Sequence, residues 1–265
     1  MQLKISHTST YHYDQPVPYA LQRLRLTPLS NACQTVHGWT VNCHGAAKEV
    51  SFRDGFGNVC DLIRHERNAF EISITAEGTV TTHGTAGVFG EDGGQSPLWM
   101  YGRQSMLTLP GNAIVDLANH VTAIAGPLEQ LHALMQEVTV RMRYEAGWTD
   151  VETEAETALA AGHGVCQDLA HVFCAASRLN GIPARYVSGY LMMDGVEQQA
   201  ASHAWAEAHV PGLGWVGFDP ANNISPNEKY VRIAIGLDYR DAAPISGIRF
   251  GDAGEKLEVS VKVEQ

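Results

Sequence analysis

The sequence predicts an α+β fold in which an N-terminal antiparallel β-sandwich-like module (residues 1–85) is followed by a loop-rich joint (86–126). A domain of helices and then antiparallel strands, with a closing strand segment, occupies 127–265. Three observations lead there. Short extended runs separated by turn residues fill the first 85 positions, glycine, serine and proline concentrate between 84 and 112, and helical spacing of apolar residues begins at Pro127. Many short punctuated strands read as a sandwich, and helices followed by strands read as an α+β domain.

Within the first module, Leu3-Lys4-Ile5 leads to Tyr11-His12-Tyr13, and Asp14-Gln15-Pro16-Val17-Pro18 interrupts the extended run. Residues 21–26 form a further strand. Asp54-Gly55-Phe56-Gly57-Asn58 is a tight turn between Val50-Ser51-Phe52 and the strand at 59–63, and 69–80 is extended again. The joint carries Gly84, Gly87, Gly90, Gly93, Gly94, Pro97, Pro110 and Gly111. Pro127 suits a first helical turn, and Leu128, Leu131, Leu134, Met135 and Val138 then follow one stripe. A second helix covers 152–161 and ends at Gly162 and Gly164. A third starts near Cys166, with Leu169, Val172, Phe173, Ala176 and Leu179 on its core-facing stripe and Asn180-Gly181 as its stop. Strand-like runs follow at 184–193, 204–210 and 215–218, the last two joined by Pro211-Gly212-Leu213-Gly214.

Composition narrows the function. Five cysteines at irregular spacings, with no CxxC pair, argue against a disulfide framework or structural zinc and for a reducing compartment, so a cytoplasmic location is expected. No run of 18 apolar residues and no signal-like N-terminus are present. The net charge of −11 argues against nucleic acid or an acidic membrane as partner. Residues 1–85 carry seven basic and seven acidic side chains, so the whole surplus lies beyond them. Its densest stretch, Glu145, Asp150, Glu152, Glu154 and Glu156, reads as a solvated face or as acids at helix N-termini.

The chemistry centres on Cys166. Gly162 and Gly164 deliver the chain into a helix whose first turn holds the thiol, and free N–H groups with the positive end of the helix dipole favour the thiolate, the attacking form. Cys174, between Phe173 and Ala175 in mid-helix, reads as core. His203, in Ser202-His203-Ala204-Trp205, is a candidate base with Trp205 positioned to cover its ring. Asp219, in Gly217-Phe218-Asp219-Pro220, is a candidate orienter. A metal site from His163, Cys166, Asp168 and His171 is disfavoured: on one helix Cys166 and His171 point apart, and Asp168 and His171 lack a third partner. Asp168 is expected to stabilise the helix start and the cleft. No metal or cofactor is called for.

Strand parity puts the orienter at risk. A regular hairpin pairing Val210 with Trp215 places Asp219 opposite Ala206 and on the wrong face. One extra residue, with Asp219 opposite Trp205, brings it to the face of His203. Gly214 and Gly217 are the positions best able to absorb the irregularity.

The segments Gly164-Val165-Cys166-Gln167-Asp168-Leu169-Ala170-His171, Ser202-His203-Ala204-Trp205 and Gly217-Phe218-Asp219-Pro220 resemble those of the bacterial transglutaminase-like proteins, a branch of the papain-like thiol enzymes. The likeness extends to His7-Thr8-Ser9-Thr10-Tyr11, Arg25-Leu26-Thr27-Pro28 and the 54–58 turn, which are similar to that family's N-terminal β module, and to Gly236-Leu237-Asp238-Tyr239. The family usually has Gly-Arg-Asp-Tyr at the last of these; Leu237 departs from it. The resemblance implies Cys166 as nucleophile, His203 as base and then acid, and Asp219 as the group fixing the imidazole tautomer. The Cys166 N–H becomes the first oxyanion donor, Gln167, Trp148 or Tyr144 the second, and Asp238 and Tyr239 possible substrate contacts. The activity expected is acyl transfer from an amide or peptide to water, as in a cysteine protease or amidase acting on a protein, peptide or small amide. The alternatives are transfer to a primary amine, as in a transglutaminase, and a peptide-binding module without catalysis.

Overall fold

The computed structural model describes residues 1–91 and 96–265. The chain first forms β1 (Gln2–Val17), β2 (Tyr19–Thr27), β3 (Gln34–His44), β4 (Ala46–Arg53), β5 (Val59–His65) and β6 (Ala69–Thr82), then the short β7 (Val88–Gly90). Helices α1 (Asn112–Val121) and α2 (Pro127–Arg141), the short strand β8 (Arg143–Tyr144), α3 (Ala155–Ala161), β9 (His163–Gly164) and α4 (Cys166–Leu179) come next. The remainder is β10 (Ala184–Leu191), β11 (Gln198–Gln199), β12 (His203–Val210), β13 (Gly214–Phe218), β14 (Tyr230–Gly236), the single-turn α5 (Tyr239–Ala242), β15 (Ile245–Phe250) and β16 (Glu255–Glu264). The architecture is α+β, as the sequence predicts.

Two antiparallel sheets, in the orders β11-β16-β1-β6-β3 and β15-β2-β5-β4, face each other across a core that includes Tyr11, Val17, Leu24, Leu26, Ile63, Ile72 and Ile74. Burial alternates along β1, turning Tyr11 and Tyr13 into this core and Leu3 and Ile5 toward the third sheet, with the polar His7 and Ser9 buried on the same face. The third sheet, β14-β10-β12-β13-β7, carries α4 on one face, with α1, α2 and α3 packed around that helix. Ala170, Ala175 and Ala176 of α4 share a core with Ala204, Ala206 and Ala208 of β12, small residues that let helix and sheet approach closely. That core holds no residue of 1–85. Leu3, Ile5 and Val80 of the sandwich pack against Tyr190, Val231 and Ile233 of the third sheet.

The structure departs from the sequence-based segmentation in two places. The stretch 86–126 is not a free joint: β7 extends the third sheet beyond β13, and Ile114, Leu117, Ala118 and Val121 of α1 lie in the core around α4. Its glycines serve local turns, Gly87 and Gly90 at φ of 79° and 77°. Gly93 and Gly94 lie outside the described residues. Nor does 127–265 form one domain with its own closing strands, since β15 pairs with β2 and β16 pairs with β1 over ten residues. The C-terminus returns to complete the sandwich, covering strand edges of β1 and β2 that would otherwise be open. Leu179, placed by spacing on the core stripe of α4, is 42% exposed because the helix ends there. Among the acids, Glu156 takes the free amides of Gly111, Ala113 and Ile114 at the start of α1. Among the described residues no helix is long and apolar enough to cross a membrane.

Candidate active site

Helix α4 begins where the sequence places it. Parallel pairing of β8 with β9 sets Tyr144 beside Gly164, and the chain then turns through Val165 into the first helical residue, Cys166. The Asp168 carboxylate reaches back to the Val165 N–H at 2.7 Å and accepts from Thr149 Oγ1 at 2.7 Å, which ties down the helix start. A Cβ on Gly164 would stand 2.7 Å from Asp168 Cβ, so this close turn requires glycine. Burial pushes the Asp168 carboxyl up against the lowering effect of those hydrogen bonds. Cys166 is nearly buried, and its amide belongs to the first turn, where N–H groups lack intrahelical acceptors. Cys174 is fully enclosed, with its thiol pushed up to about 11 by burial.

The β12–β13 hairpin solves the parity problem at its turn. Val210 pairs with Gly214, across Pro211-Gly212-Leu213, and the ladder then runs regularly to Ala206 opposite Phe218. The ladder holds no extra residue and Gly217 pairs regularly with Glu207, so the expected strand irregularity is replaced by a three-residue loop in which Gly212 and Gly214 stand at φ of 85° and 76°. Asp219, continuing that register opposite Trp205, reaches His203, whose Nε2–H donates to Asp219 Oδ2 at 2.7 Å. The same oxygen accepts from Asn222 Nδ2 and Tyr230 Oη, each at 2.7 Å, and Oδ1 accepts from the Ala221 and Asn222 amides.

Electrostatics follow from these bonds. Burial opposes a charged His203, but hydrogen bonds and charge interactions with Asp219 and Cys166 outweigh it and push the imidazole up to about 10. Burial likewise opposes an ionised Asp219, yet the donors His203, Asn222 and Tyr230 hold its carboxyl below the usual range. With Nε2 committed to Asp219, Nδ1 is the nitrogen left for Cys166, whose side chain is among the groups that raise the imidazole. Asp219 is hydrogen-bonded to His203, and both Asp219 and Cys166 favour its charged form.

A cleft of about 760 Å³ opens over Cys166 and His203, lined also by Tyr144, Gln167, Tyr186 and Tyr239. Tyr144 stands 60% exposed at its rim, its phenol kept protonated by desolvation and by the charges of Cys166, Asp219 and Asp168. The Gln167 amide reaches the Asp150 carbonyl at 3.5 Å. Trp205 lies beneath the cleft, fully buried, its ring 6.2 Å from that of His203 and nearly parallel to it. Trp148 is exposed and packs on His163 at 4.8 Å, away from the cleft lining. Tyr239 lines the cleft and its amide donates to His171 Nε2, whereas Asp238 is turned into the start of α5, accepting from the Arg240 and Asp241 amides. That leaves Asp238 as a cap rather than a cleft contact. The His171 and Asp168 side chains are likewise engaged within the fold.

Asn222 and Tyr230 were not among the residues singled out from sequence. Asn222, three positions past Asp219, carried a weak signal, since an aspartate that accepts from amides two and three residues on is a common local turn. Tyr230 carried none, because only the pairing of β14 beside β10 brings it to Asp219.

The transglutaminase-like superfamily core model matches residues 115–220, which include Cys166, His203 and Asp219, and the bacterial transglutaminase-like N-terminal region matches residues 3–81. An uncharacterized protein of Mycobacterium leprae is 29% identical over 99% of this chain and 98% of its own length, and one of Mycobacterium tuberculosis is 28% identical over 98% and 91%. In structure, a "Putative Cysteine Protease" from Cytophaga hutchinsonii superposes with a TM-score of 0.78 at 23% identity, over all of this chain and 91% of that one. At that identity the likeness concerns the fold.

Proposed function

For a chain that belongs to the transglutaminase-like superfamily and carries its bacterial N-terminal region, we propose a thiol acyl-transfer activity in which Cys166 attacks the carbonyl of an amide or peptide and the acyl group passes to water. The observation that carries this reading is the buried carboxylate of Asp219, 2.7 Å from His203 Nε2, with Cys166 at a helix start lining the same cleft as His203. That order of groups suits a thiolate–imidazolium pair. The thiolate sulfur bonds to the carbonyl carbon, and the Cys166 N–H stabilises the oxyanion. His203 then gives its proton to the departing amine as the carbon–nitrogen bond breaks. Water, deprotonated by His203, attacks the thioester, and the carboxylic acid leaves with the thiolate restored. Asp219 holds the imidazole with Nε2 protonated throughout.

Water as acceptor is supported by the open rim of the cleft at Tyr144. The five cysteines are free thiols, which supports a reducing, cytoplasmic setting. The test is to incubate the protein with a library of peptides and amides in the presence of a fluorescent primary amine, reading cleavage and amine incorporation together. Cleavage that Cys166→Ala abolishes supports hydrolysis. Amine incorporation in its place moves the assignment to transamidation, and neither product, with Cys166 unreactive to iodoacetamide near pH 6, leaves a peptide-binding module.

A further inference from the structure

The cleft has one wall whose composition contrasts with the acidic chain around it. After β10 ends at Leu191, the chain makes a narrow turn closed by the Met193–Val196 bridge and reaches β11, from which it runs through 200–202 directly into His203. The turn is held from behind by the sandwich. Gln198 and Gln199 pair with Lys262 and Val261 of β16, the Val263 amide donates to the Glu197 carbonyl at 3.1 Å, and Gln199 Nε2 donates to the Leu191 carbonyl at 2.8 Å. Its charged residues face outward: Asp194 pairs with Lys229 at 2.6 Å, Glu197 lies 3.8 Å from Lys262, and neither lines the cleft. Its apolar residues Leu191, Met193 and Val196 do line the cleft, and Met193 and Val196 remain 40% and 45% exposed.

Among the described residues the cleft lining contains no Asp, Glu, Lys or Arg. Apart from the His203 imidazolium, which is already committed to Asp219, a charged side chain entering it loses water and meets no counter-charge from an Asp, Glu, Lys or Arg, whereas an apolar one removes its own surface and that of the wall from water. Exposed apolar side chains gathered in a concave site, with their polar neighbours turned away, mark a binding surface. Methionine adds a flexible, polarizable surface that adapts to different apolar partners.

We propose that Leu191, Met193 and Val196 form the docking wall for the acyl donor, and that this wall, held in place by the N-terminal module through β16, selects amides and peptides whose residue at the scissile carbonyl is neutral and apolar. The inference rests on the acyl-transfer reading of Cys166. It gives the sandwich a part in the reaction, holding the specificity wall and the segment that delivers His203.

The test uses the full chain and a panel of N-acetylated amino aldehydes with leucine, methionine, phenylalanine, glutamate or lysine side chains. The thiolate adds to the aldehyde carbon and the carbonyl π pair moves to oxygen, which takes the His203 proton. The resulting hemithioacetal shields Cys166 from iodoacetamide, and the modified site is read by mass spectrometry. The apolar aldehydes are expected to protect at concentrations roughly tenfold or more below the charged ones. Val196→Lys should move the ratio of glutamate to leucine aldehyde about tenfold toward glutamate, and Met193→Glu should do the same for lysine, both at exposed positions. Equal or better protection by charged aldehydes in the native protein, or ratios unmoved by both substitutions, overturns the wall while leaving the nucleophile in place. Failure of every aldehyde to protect Cys166 overturns the acyl-transfer reading and the wall with it.

Discussion

Replacing Asp219 by asparagine keeps the shape of the side chain and removes only its charge and one acceptor. Oδ2 takes three donors at 2.7 Å, from His203, Asn222 and Tyr230, while Oδ1 takes two backbone amides. A carboxamide offers a single oxygen. If that oxygen stays with the three side chains, its NH2 faces the two amides, and if it is flipped, the NH2 faces the histidine. Either way the imidazolium loses the carboxylate. His203 stands at about 10 against an ordinary 6.5, a difference of on the order of 5 kcal/mol at 1.36 kcal/mol per unit. That difference is net of the burial that opposes the charge, and removing the Asp219 carboxylate should slow the reaction by roughly 30-fold or more, about 2 kcal/mol. Amide turnover and iodoacetamide alkylation of Cys166 at pH 6 should both fall in Asp219→Asn, with alkylation recovering as pH rises and the thiol ionises without its partner. Rates within threefold of wild type for both reactions would remove Asp219 from the mechanism.

Because the folded His203 value is raised above the unfolded one, the imidazolium contribution is complete below about 6.5 and is lost as pH rises through about 10; amide turnover should show an alkaline limb near pH 10 that alkylation of Cys166, which needs no acid, does not share. Asp168→Ala removes the tie to Val165 and Thr149 and should lower stability to denaturant by about 1–2 kcal/mol while alkylation stays within tenfold of wild type. Arg178 is buried, donating to Thr108 Oγ1 and to the Ala184 and Leu237 carbonyls, so Arg178→Ala should cost about 3–5 kcal/mol in chemical unfolding and Arg178→Lys should restore only part of it. At Gly214 a Cβ would fall 2.3 Å from the Gly90 carbonyl carbon at a φ of 76°, so Gly214→Val should lower the melting temperature and the alkylation rate together, and an unchanged rate in a folded variant would show that the register survives without glycine.

Features set by local sequence were legible before the structure. Pro127 opens α2, Gly181 at φ of 75° follows α4, and Cys166 occupies the first residue of its helix, because proline, glycine and helix-end chemistry act over a few residues. Features set by contacts between distant segments were not. Nothing in residues 255–264 indicates that they pair with β1, roughly 250 positions earlier in the chain, rather than with a strand of the catalytic sheet. The same holds for Asn58. Its place in a tight turn is plain from Asp54-Gly55-Phe56-Gly57-Asn58, but its two hydrogen bonds to the Ile235 backbone, which tie the sandwich to β14, depend on how the sheets meet. A residue type can announce a turn without announcing what the turn is for.

The hairpin between His203 and Asp219 shows where that boundary runs. Both residues were recognisable as a base and an acid, and the strand period of two made their relative face a matter of a single residue. What decides it is the Pro211-Gly212-Leu213 loop. Proline at its first position and glycine at the second favour a turn with positive φ, and Gly214, also at positive φ, lets Val210 pair across three residues instead of four. Glycine at 214 serves a second end as well, since its missing side chain admits the backbone of Gly90 and with it β7. A constraint imposed at the turn is thus carried by a regular ladder to the opposite end of the hairpin, where it places a carboxylate against an imidazole. Tyr230 from β14 and Asn222 from the turn just after Asp219 then bond to the same carboxylate. Buried and supplied with donors, Asp219 stays ionised, and an ionised Asp219 keeps His203 charged beside the thiol.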